Sequence, residues 1–231
     1  MEVINQIHQG RLLADLPLIV DGITVHSPTL IQIVNIGYPI YNIYLGVCIN
    51  DGLPPHCIEC ENKFDNILQY DNEYLTYFLW GLEFFTSKTF VKQNECFIVE
   101  DESLRLDCNN FDGLVYLLKL ANCVDPEKDR VKGMRNKDLD EKIAKAKREL
   151  NERLGRSPDD NKIELIDLIS VLASKHNNLN IMNIWDLNYF QFNNQFNRMQ
   201  LVENYDLGIR QLLAGADKDK VKLEHYIKKI K

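Results

Sequence analysis

The longest regular pattern of apolar and polar positions lies near the end of the chain, between Asn183 and Lys222. Apolar side chains recur there in steps of three and four residues, which is the spacing of one face of an α-helix. The pattern predicts one long helix whose apolar face is buried against another surface. The stripe consists of Trp185, Tyr189, Phe192, Phe196 and Met199, followed by Tyr205, Ile209 and Leu212 after a slip at Val202.

A β-hairpin is predicted near the start of the chain, in residues 18–25. Two short apolar runs flank Asp21 and Gly22 there. This residue pair is favoured in two-residue hairpin turns because both positions need a positive φ angle.

A short helix is predicted directly after the hairpin. Ser27 is a helix-capping residue type, Pro28 suits the first helical position, and Gly37 is a typical helix terminator. Residues 38–49 are apolar and aromatic, which favours a buried helix. Their β-branched and tyrosine content leaves a strand as the alternative.

The next segment mixes helix and strand patterns. Residues 64–85 predict helical structure with a break near Asp71. Residues 95–100 and 103–107 predict two strands joined at residues 101–102.

A further helix follows, capped by Asn109 or Asn110 and ending by Pro126. Together these elements predict that residues 1–125 form an α+β domain.

Residues 126–159 differ abruptly in composition, because charges of both signs are dense there. This change predicts a domain boundary occupied by a charged linker helix that stops at Gly155. We favour a solvated connecting helix over a coiled coil, because the apolar seam lasts little over two heptads. The seam consists of Leu139, Ile143, Ala146, Leu150 and Leu154.

Residues 160–231 predict an all-α C-terminal domain. A helix over residues 160–176, capped by Asp160, would pack against residues 183–213 as a helical hairpin, followed by a Lys-rich tail. The predicted fold class is therefore an α+β N-terminal domain, a charged linker helix and an all-α helical hairpin, mostly helical overall.

Composition narrows the class of protein. A chain of 231 residues with 45% hydrophobic content can bury a core, and its net charge of −7 argues against a dedicated nucleic-acid binder. No apolar run reaches the length of a bilayer, and the N-terminus lacks a signal-peptide layout, so we expect no membrane partner. Six scattered cysteines predict reduced thiols, and hence a cytoplasmic location.

The tightest cluster of possible metal ligands is His56, Cys57 and Cys60. Two thiolates at this spacing can bind Zn²⁺, but a structural zinc needs two further ligands. The chain has no second Cys-x-x-Cys motif or His pair. Cys57 and Cys60 are therefore weak metal candidates, ordinary thiols are favoured, and we expect no cofactor.

Residues able to perform acid–base chemistry are isolated from one another. His26 has no adjacent partner in the sequence, and the carboxylate pairs at 101–102 and 159–160 occupy turn or cap positions. The chain contains no GxxxxGK[ST], GxGxxG, GxSxG or HExxH motif. We therefore expect a protein that is not an enzyme.

The aromatic stripe is the best candidate for a binding site. Aromatic residues at helical spacing are usually buried in their own domain, so core packing is the ordinary explanation. However, the shorter helix of a two-helix hairpin cannot cover the whole stripe. We expect the rest to pack on the first domain or on another chain. The predicted partner-binding residues are Trp185, Tyr189, Phe192, Phe196 and Met199.

Three segments resemble one family of phage proteins. Residues 176–226, from HNNLNIMNIWDLNYF onward, are similar to the C-terminal part of tail assembly chaperones. Those proteins are encoded in the tail-morphogenesis region of tailed phages and prophages of Gram-positive bacteria. VDGITVHSPTLIQIVNIG resembles their N-terminal hairpin and proline-started helix, and NNFDGLVYLLKLANCVDPEKD resembles the helix before their charged linker. HCIEC is not part of the resemblance.

The resemblance implies a binding function without an active site. A chaperone of this kind would hold a tail component, either a tape measure or a tube subunit, in the host cytoplasm until polymerisation displaces it. The alternative is a structural virion protein of the tail, neck or baseplate, which stays permanently in an oligomer. In that case the partner would be another virion protein or a second copy, and the location would be the virion. An enzyme or metalloprotein, recognisable by stoichiometric zinc, is the third class.

Overall fold

The computed structural model describes residues 2–51, 57, 60, 62–99, 103–125, 163–218, 220, 221, 223 and 225–227. The described chain is mostly helical with small antiparallel sheets, which confirms the predicted α+β class. In the N-terminal region the elements are α1 (Glu2–Leu13), β1 (Leu18–Val20), β2 (Ile23–Val25), α2 (Leu30–Ile36), α3 (Tyr38–Cys48), α4 (Lys63–Leu68), α5 (Asn72–Thr86), β3 (Phe90–Gln93), β4 (Cys96–Val99), β5 (Arg105–Leu106) and α6 (Phe111–Ala121). The C-terminal elements are α7 (Leu165–Lys175), a 3₁₀ turn (Ile184–Asp186) and α8 (Tyr189–Leu213).

The predicted β-hairpin is confirmed. β1 and β2 pair antiparallel, with Val20 opposite Ile23 across the turn. Asp21 and Gly22 have φ angles of 46° and 81°, so both turn residues adopt the left-handed conformation that this kind of turn needs.

Helix α2 begins two residues later than the sequence predicts. Its cap is Thr29, whose hydroxyl accepts a hydrogen bond from the Gln32 amide, while the Gln32 side chain accepts one from the Thr29 amide. This reciprocal pair satisfies two amides that the first helical turn cannot pair internally. The prediction that Ser27 caps the helix is therefore wrong, and Gly37 ends it as predicted.

Helices α3 and α5 form a close antiparallel pair, which confirms the helix at residues 38–49 over the alternative strand. The predicted break at Asp71 is also confirmed, because its side chain caps α5 by accepting a hydrogen bond from the Tyr74 amide. Gly81 makes the close approach possible. A Cβ atom there would lie 2.6 Å from Cys48 Sγ and 3.2 Å from a backbone oxygen of α3.

Two elements lie outside the sequence predictions. Strand β3 carries only one buried side chain, Phe90, and joins β4 through a turn in which Asn94 has a φ angle of 54°. Helix α1 is largely polar and contributes Leu12 to the core. Strands β4 and β5 pair antiparallel, which confirms the two strands that were predicted.

Helix α6 lies at the centre of the N-terminal region and contacts α1, α3, α4 and the hairpin. Asn110 occupies the cap position of α6, but its side chain forms hydrogen bonds with residues that precede it in the chain. Its Oδ1 accepts from the Asp107 amide, and its Nδ2 donates to the Arg105 carbonyl. The side chain therefore stabilises the turn between β5 and α6.

Helix α8 differs from prediction at its start. It begins at Tyr189 instead of Asn183, and it ends at Leu213, as predicted for the helical hairpin. The start is displaced because Leu187 has an extended backbone, and its carbonyl accepts a hydrogen bond from the Leu30 amide.

Helix α7 is capped by Glu164. The cap predicted at Asp160 and the linker helix predicted over residues 126–159 lie outside the described residues.

The buried apolar side chains form one continuous cluster. Leu12, Phe64 and Phe111 of the N-terminal region belong to it together with Ile184 and Phe192 near the end of the chain. The aromatic stripe therefore packs on the N-terminal residues, which is one of the two arrangements expected for it. The domain boundaries at residues 125 and 160 stay predictions.

The approach of α3 to α5 predicts opposite effects for two glycines. Gly81→Ala should lower the free energy of unfolding by about 1–3 kcal/mol, because the new methyl group overlaps Cys48 and the α3 backbone. Gly46→Ala is the matched control in α3, since no atom lies within 4 Å of its Cβ position. We expect it to stabilise the protein by about 0.5–1 kcal/mol through helix propensity. Urea denaturation measures both, and equal effects would contradict the close approach.

Candidate functional site at the C-terminal helix and its anchor

The start of α8 is anchored by Asn188, whose side chain is 1% exposed. Its Oδ1 accepts a hydrogen bond from the Gln191 amide, and its own amide donates to Gln191 Oε1. The Nδ2 group donates to the Leu12 carbonyl at 3.1 Å and to Asp15 Oδ1 at 2.7 Å. One amide therefore caps α8 and binds it to the end of α1.

Backbone hydrogen bonds join the start of α8 to the start of α2. The Leu30 amide donates to the Leu187 carbonyl at 2.9 Å, and the Tyr189 amide donates to the Pro28 carbonyl at 2.8 Å. The Phe190 amide donates to Ser27 Oγ at 3.1 Å. Ser27 is thus a partner of α8 instead of the cap of α2, and the two helices begin side by side.

The structure places Phe192, a predicted partner-binding residue, inside the core with 2% of its surface exposed. Tyr189 contacts Tyr41 at 5.5 Å between ring centroids, and Phe196 contacts Phe192 at 6.0 Å. Tyr189, Phe196 and Met199 are half-buried against the same core. Burial raises the pKa of Tyr189, so its hydroxyl stays neutral at physiological pH.

Trp185 lies before α8, in the 3₁₀ turn, and is half-buried. Its Nε1–H donates to the Ile181 carbonyl at 2.7 Å, which fixes the indole across the loop between α7 and α8. In the same loop Ile181 is exposed and Met182 is 84% exposed. The beginning of the aromatic stripe therefore lies beside exposed apolar side chains.

The other end of α8 is contacted by described residues of the tail. Leu223 and Val221 approach Gly208, where a Cβ atom would lie 2.9 Å from the leucine side chain. The ring of Tyr205 packs on His225 at 5.3 Å between centroids. These contacts cover one side of the helix beyond the reach of α7.

Helix α7 contacts α8 through one apolar face and exposes further apolar side chains elsewhere on its surface. Leu165, Ile169 and Leu172 are buried, whereas Ile166 and Val171 are exposed. The helix pair is also linked by an ion pair between Lys175 and Glu203.

The two thiols at Cys57 and Cys60 share one partner. Cys57 Sγ donates to the Gln69 carbonyl at 3.5 Å, and Gln69 Nε2 donates to Cys60 Sγ at 2.9 Å. Burial raises the pKa of the Cys57 thiol, which favours the protonated form. Among the described residues, no three His, Cys, Asp or Glu side chains are grouped so as to hold a metal ion. His56 lies outside that set.

Of the acid–base candidates, His26 lies among the described residues. His26 is exposed, and its backbone amide donates to the Phe85 carbonyl. The carboxylate pairs at 101–102 and 159–160 lie outside the described residues.

No single helix in the described part of the chain combines the length and hydropathy needed to cross a bilayer. Helices α2 and α3 meet the criteria only together, as a pair bent by 100°.

The geometry defines a class of protein: a mostly helical α+β chain whose C-terminal helix is docked on the N-terminal residues. Residues 156–231, about a third of the chain, match a family model described as the YomV second domain. This family is phage-derived, so the match supports a phage protein, and it does not distinguish a tail assembly chaperone from a structural component. No curated protein and no solved structure matches the chain.

The sequence analysis missed Asn188 and Ser27 as contacts of the C-terminal helix. Asn188 and Gln191 have the residue types and the spacing of a capping box, so a local signal for the start of α8 is present. Nothing local points to the bond between Ser27 and Phe190, because 163 positions separate the two residues.

The anchor predicts that Asn188→Ala destabilises the protein by about 2–3 kcal/mol, because it removes a helix cap and the hydrogen bonds that Nδ2 donates to the Leu12 carbonyl and to Asp15. Asn204→Ala in the same helix is the control. That side chain is exposed, and alanine has the higher helix propensity, so stability should be unchanged or slightly raised. Urea denaturation compares the two, and similar losses would show that Asn188 has no special role.

The burial of Phe192 predicts a loss of about 3–5 kcal/mol in the free energy of unfolding for Phe192→Ala. Leu207→Ala, at an exposed position of the same helix, should change it by less than about 0.5 kcal/mol. Thermal and chemical denaturation measure both changes. A small effect at Phe192 would mean that the stripe is not part of the core in solution.

Proposed function

We propose that this is a non-enzymatic phage protein that acts as a tail assembly chaperone, binding a tail component through the beginning of its C-terminal aromatic stripe. The observation that carries the proposal is the match of residues 156–231 to a phage-derived family, because these residues contain the whole stripe. The resemblance of the chain to tail assembly chaperones supports the more specific role.

The surface at the loop between α7 and α8 suits reversible binding. Trp185 is held by its indole hydrogen bond, and the exposed side chains of Ile181 and Met182 lie in the same loop. Tryptophan often dominates the energy of protein–protein contacts, and methionine adapts to differently shaped partners. Much of the remaining stripe is used within the chain, which keeps the free apolar area small and the contact exchangeable.

In this proposal the protein works by binding alone, in the host cytoplasm, without a cofactor. The partner is a tape measure or tube subunit. Polymerisation of that subunit displaces the chaperone. The predicted partner-binding residues then have two roles. Trp185 contacts the partner directly, whereas Tyr189, Phe192, Phe196 and Met199 hold the helix in position from within the core.

A structural virion protein is the second candidate, and the exposed apolar side chains Ile166 and Val171 on α7 favour it. Exposed apolar side chains outside the packed face of a short helix are typical of an element that is covered in a permanent oligomer. In that case the protein would be retained in finished particles, together with another virion protein or further copies of itself.

Affinity purification of the tagged protein from infected or induced cells, together with the protein composition of purified mature virions, separates these candidates. The chaperone proposal expects a tail component to co-purify from cells while the protein is absent from virions. A stoichiometric band of the protein in virions would overturn it in favour of the structural role. Failure to recover any virion protein would contradict both.

The proposed contact predicts that Trp185→Ala lowers partner recovery by about tenfold while the melting temperature falls by only a few degrees. Replacing Phe196 as well should strengthen the loss of binding, with an added stability cost because that ring is half-buried. Leu213→Ala, exposed at the end of α8, is the control and should leave both quantities unchanged. An unfolded Trp185 variant would instead identify the residue as ordinary core.

A further inference from the structure

Helices α3 and α5 carry a second aromatic surface that the C-terminal helix does not account for. It consists of Tyr44 on α3 and of Tyr77, Trp80 and Phe84 on α5. Along α5 these positions follow steps of three and four, so the three rings share one face. We call these four residues the aromatic strip.

The rings of the strip are in contact or close to one another. Tyr44 and Phe84 lie 6.1 Å apart between ring centroids, and Tyr77 and Trp80 lie 6.3 Å apart in an edge-to-face arrangement. Burial raises the pKa of Tyr44, and the nearby Tyr77 raises it further. The contact between Tyr44 and Phe84 joins the strip across both helices.

Trp80 is the most accessible member, with 52% of its surface exposed, whereas the other three rings are half-buried. The close approach at Gly81 holds the two helices together beneath the rings, so the strip has a fixed backbone. An exposed tryptophan supported by partly buried aromatic neighbours on rigid helices is typical of a binding hot spot.

The charged residues on the two helices of the strip have one sign. Helix α3 contains no charged residue, and the charged residues of α5 are Glu73 and Glu83, both exposed. Glu73 lies four residues before Tyr77, and Glu83 lies three residues after Trp80, so both carboxylates border the aromatic face. One oxygen of Glu83 accepts a hydrogen bond from Thr89, and Lys88 lies beyond the end of the helix.

Electron-rich aromatic faces beside carboxylates attract cations, because cation–π and ionic interactions act together there. A membrane surface is disfavoured, since anionic lipid headgroups would be repelled by Glu73 and Glu83. A symmetric pair of copies is also disfavoured, because two-fold symmetry would bring the same carboxylates of both chains into one interface. The complementary occupant presents apolar side chains together with lysine or arginine.

We propose that the aromatic strip of α3 and α5 docks a basic amphipathic helix of another protein. The apolar side of that helix covers Trp80 and Tyr77, and its lysine or arginine side chains reach Glu73 and Glu83. In this mode of recognition an amphipathic helix lies in an apolar groove, and side chains three and four residues apart anchor it there. The strip lies outside the C-terminal surface of the proposed chaperone contact, so the inference stands whether or not that contact exists.

The test measures binding of a labelled synthetic peptide of about 18 residues, in which leucines form one helical face and lysines the other. The protein used is the full chain carrying Trp185→Phe, so that Trp80 is the sole tryptophan. We expect a blue shift of the tryptophan emission and a saturable rise in peptide anisotropy. A peptide with glutamate in place of lysine should bind at least about tenfold more weakly.

Matched variants locate the contact. Trp80→Ala should weaken binding of the Leu/Lys peptide by about tenfold, whereas Leu207→Ala, also exposed but on α8, should not change it. The double variant Glu73→Lys and Glu83→Lys should weaken binding, while Glu95→Lys in the β3–β4 turn changes the net charge without affecting it. Circular dichroism confirms that each variant is folded.

Three results would overturn the inference. Equal affinity for the Leu/Lys and Leu/Glu peptides would remove the role of charge. Binding that is unaffected by Trp80→Ala would place the peptide elsewhere on this acidic chain. Shifts of the tryptophan emission caused by phosphatidylglycerol vesicles, or by raising the protein concentration alone, would assign the strip to a membrane or to a second copy.

Loss of the chaperone contact after Trp185→Ala leaves all of these readouts unchanged, so the two proposals fail separately.

Discussion

The hydrogen bonds of one buried amide, Asn188, determine where the C-terminal helix begins and what it packs against. A buried polar group without a partner costs about 1–3 kcal/mol, so the side chain must satisfy both its oxygen and its nitrogen. It does so by capping its own helix and by binding the Leu12 carbonyl and Asp15 at the end of α1. These partners exist together only when α8 starts beside α1 and α2.

This constraint decides how the aromatic stripe is used. Once the start of α8 is anchored, Tyr189 meets Tyr41 and Phe192 enters the core of the N-terminal region. The stripe is thus mainly an internal contact, and the loop before it exposes Met182. Accessible aromatic surface also occurs at Trp80, on the α3–α5 pair.

Where the signal is local, the sequence predicted the structure correctly. The hairpin turn at Asp21, the end of α2 at Gly37 and the break at Asp71 each depend on the conformational or capping preference of one residue. Helix α1 has no clear apolar periodicity, and strand β3 exposes three of its four side chains, so neither shows the usual pattern of buried positions. The displaced start of α2 depends on a distant residue, since Ser27 accepts a hydrogen bond from the Phe190 amide.

The sequence by itself determined the class of the fold, the existence of most helices and the periodic aromatic stripe, because periodicity and turn chemistry act over a few residues. It also carried the resemblance to phage proteins, and the match of residues 156–231 supports a phage protein. Only the tertiary structure decided which faces are covered. The side-chain hydrogen bonds that dock α8 join residues 163 to 178 positions apart, and no local pattern encodes partners at that separation.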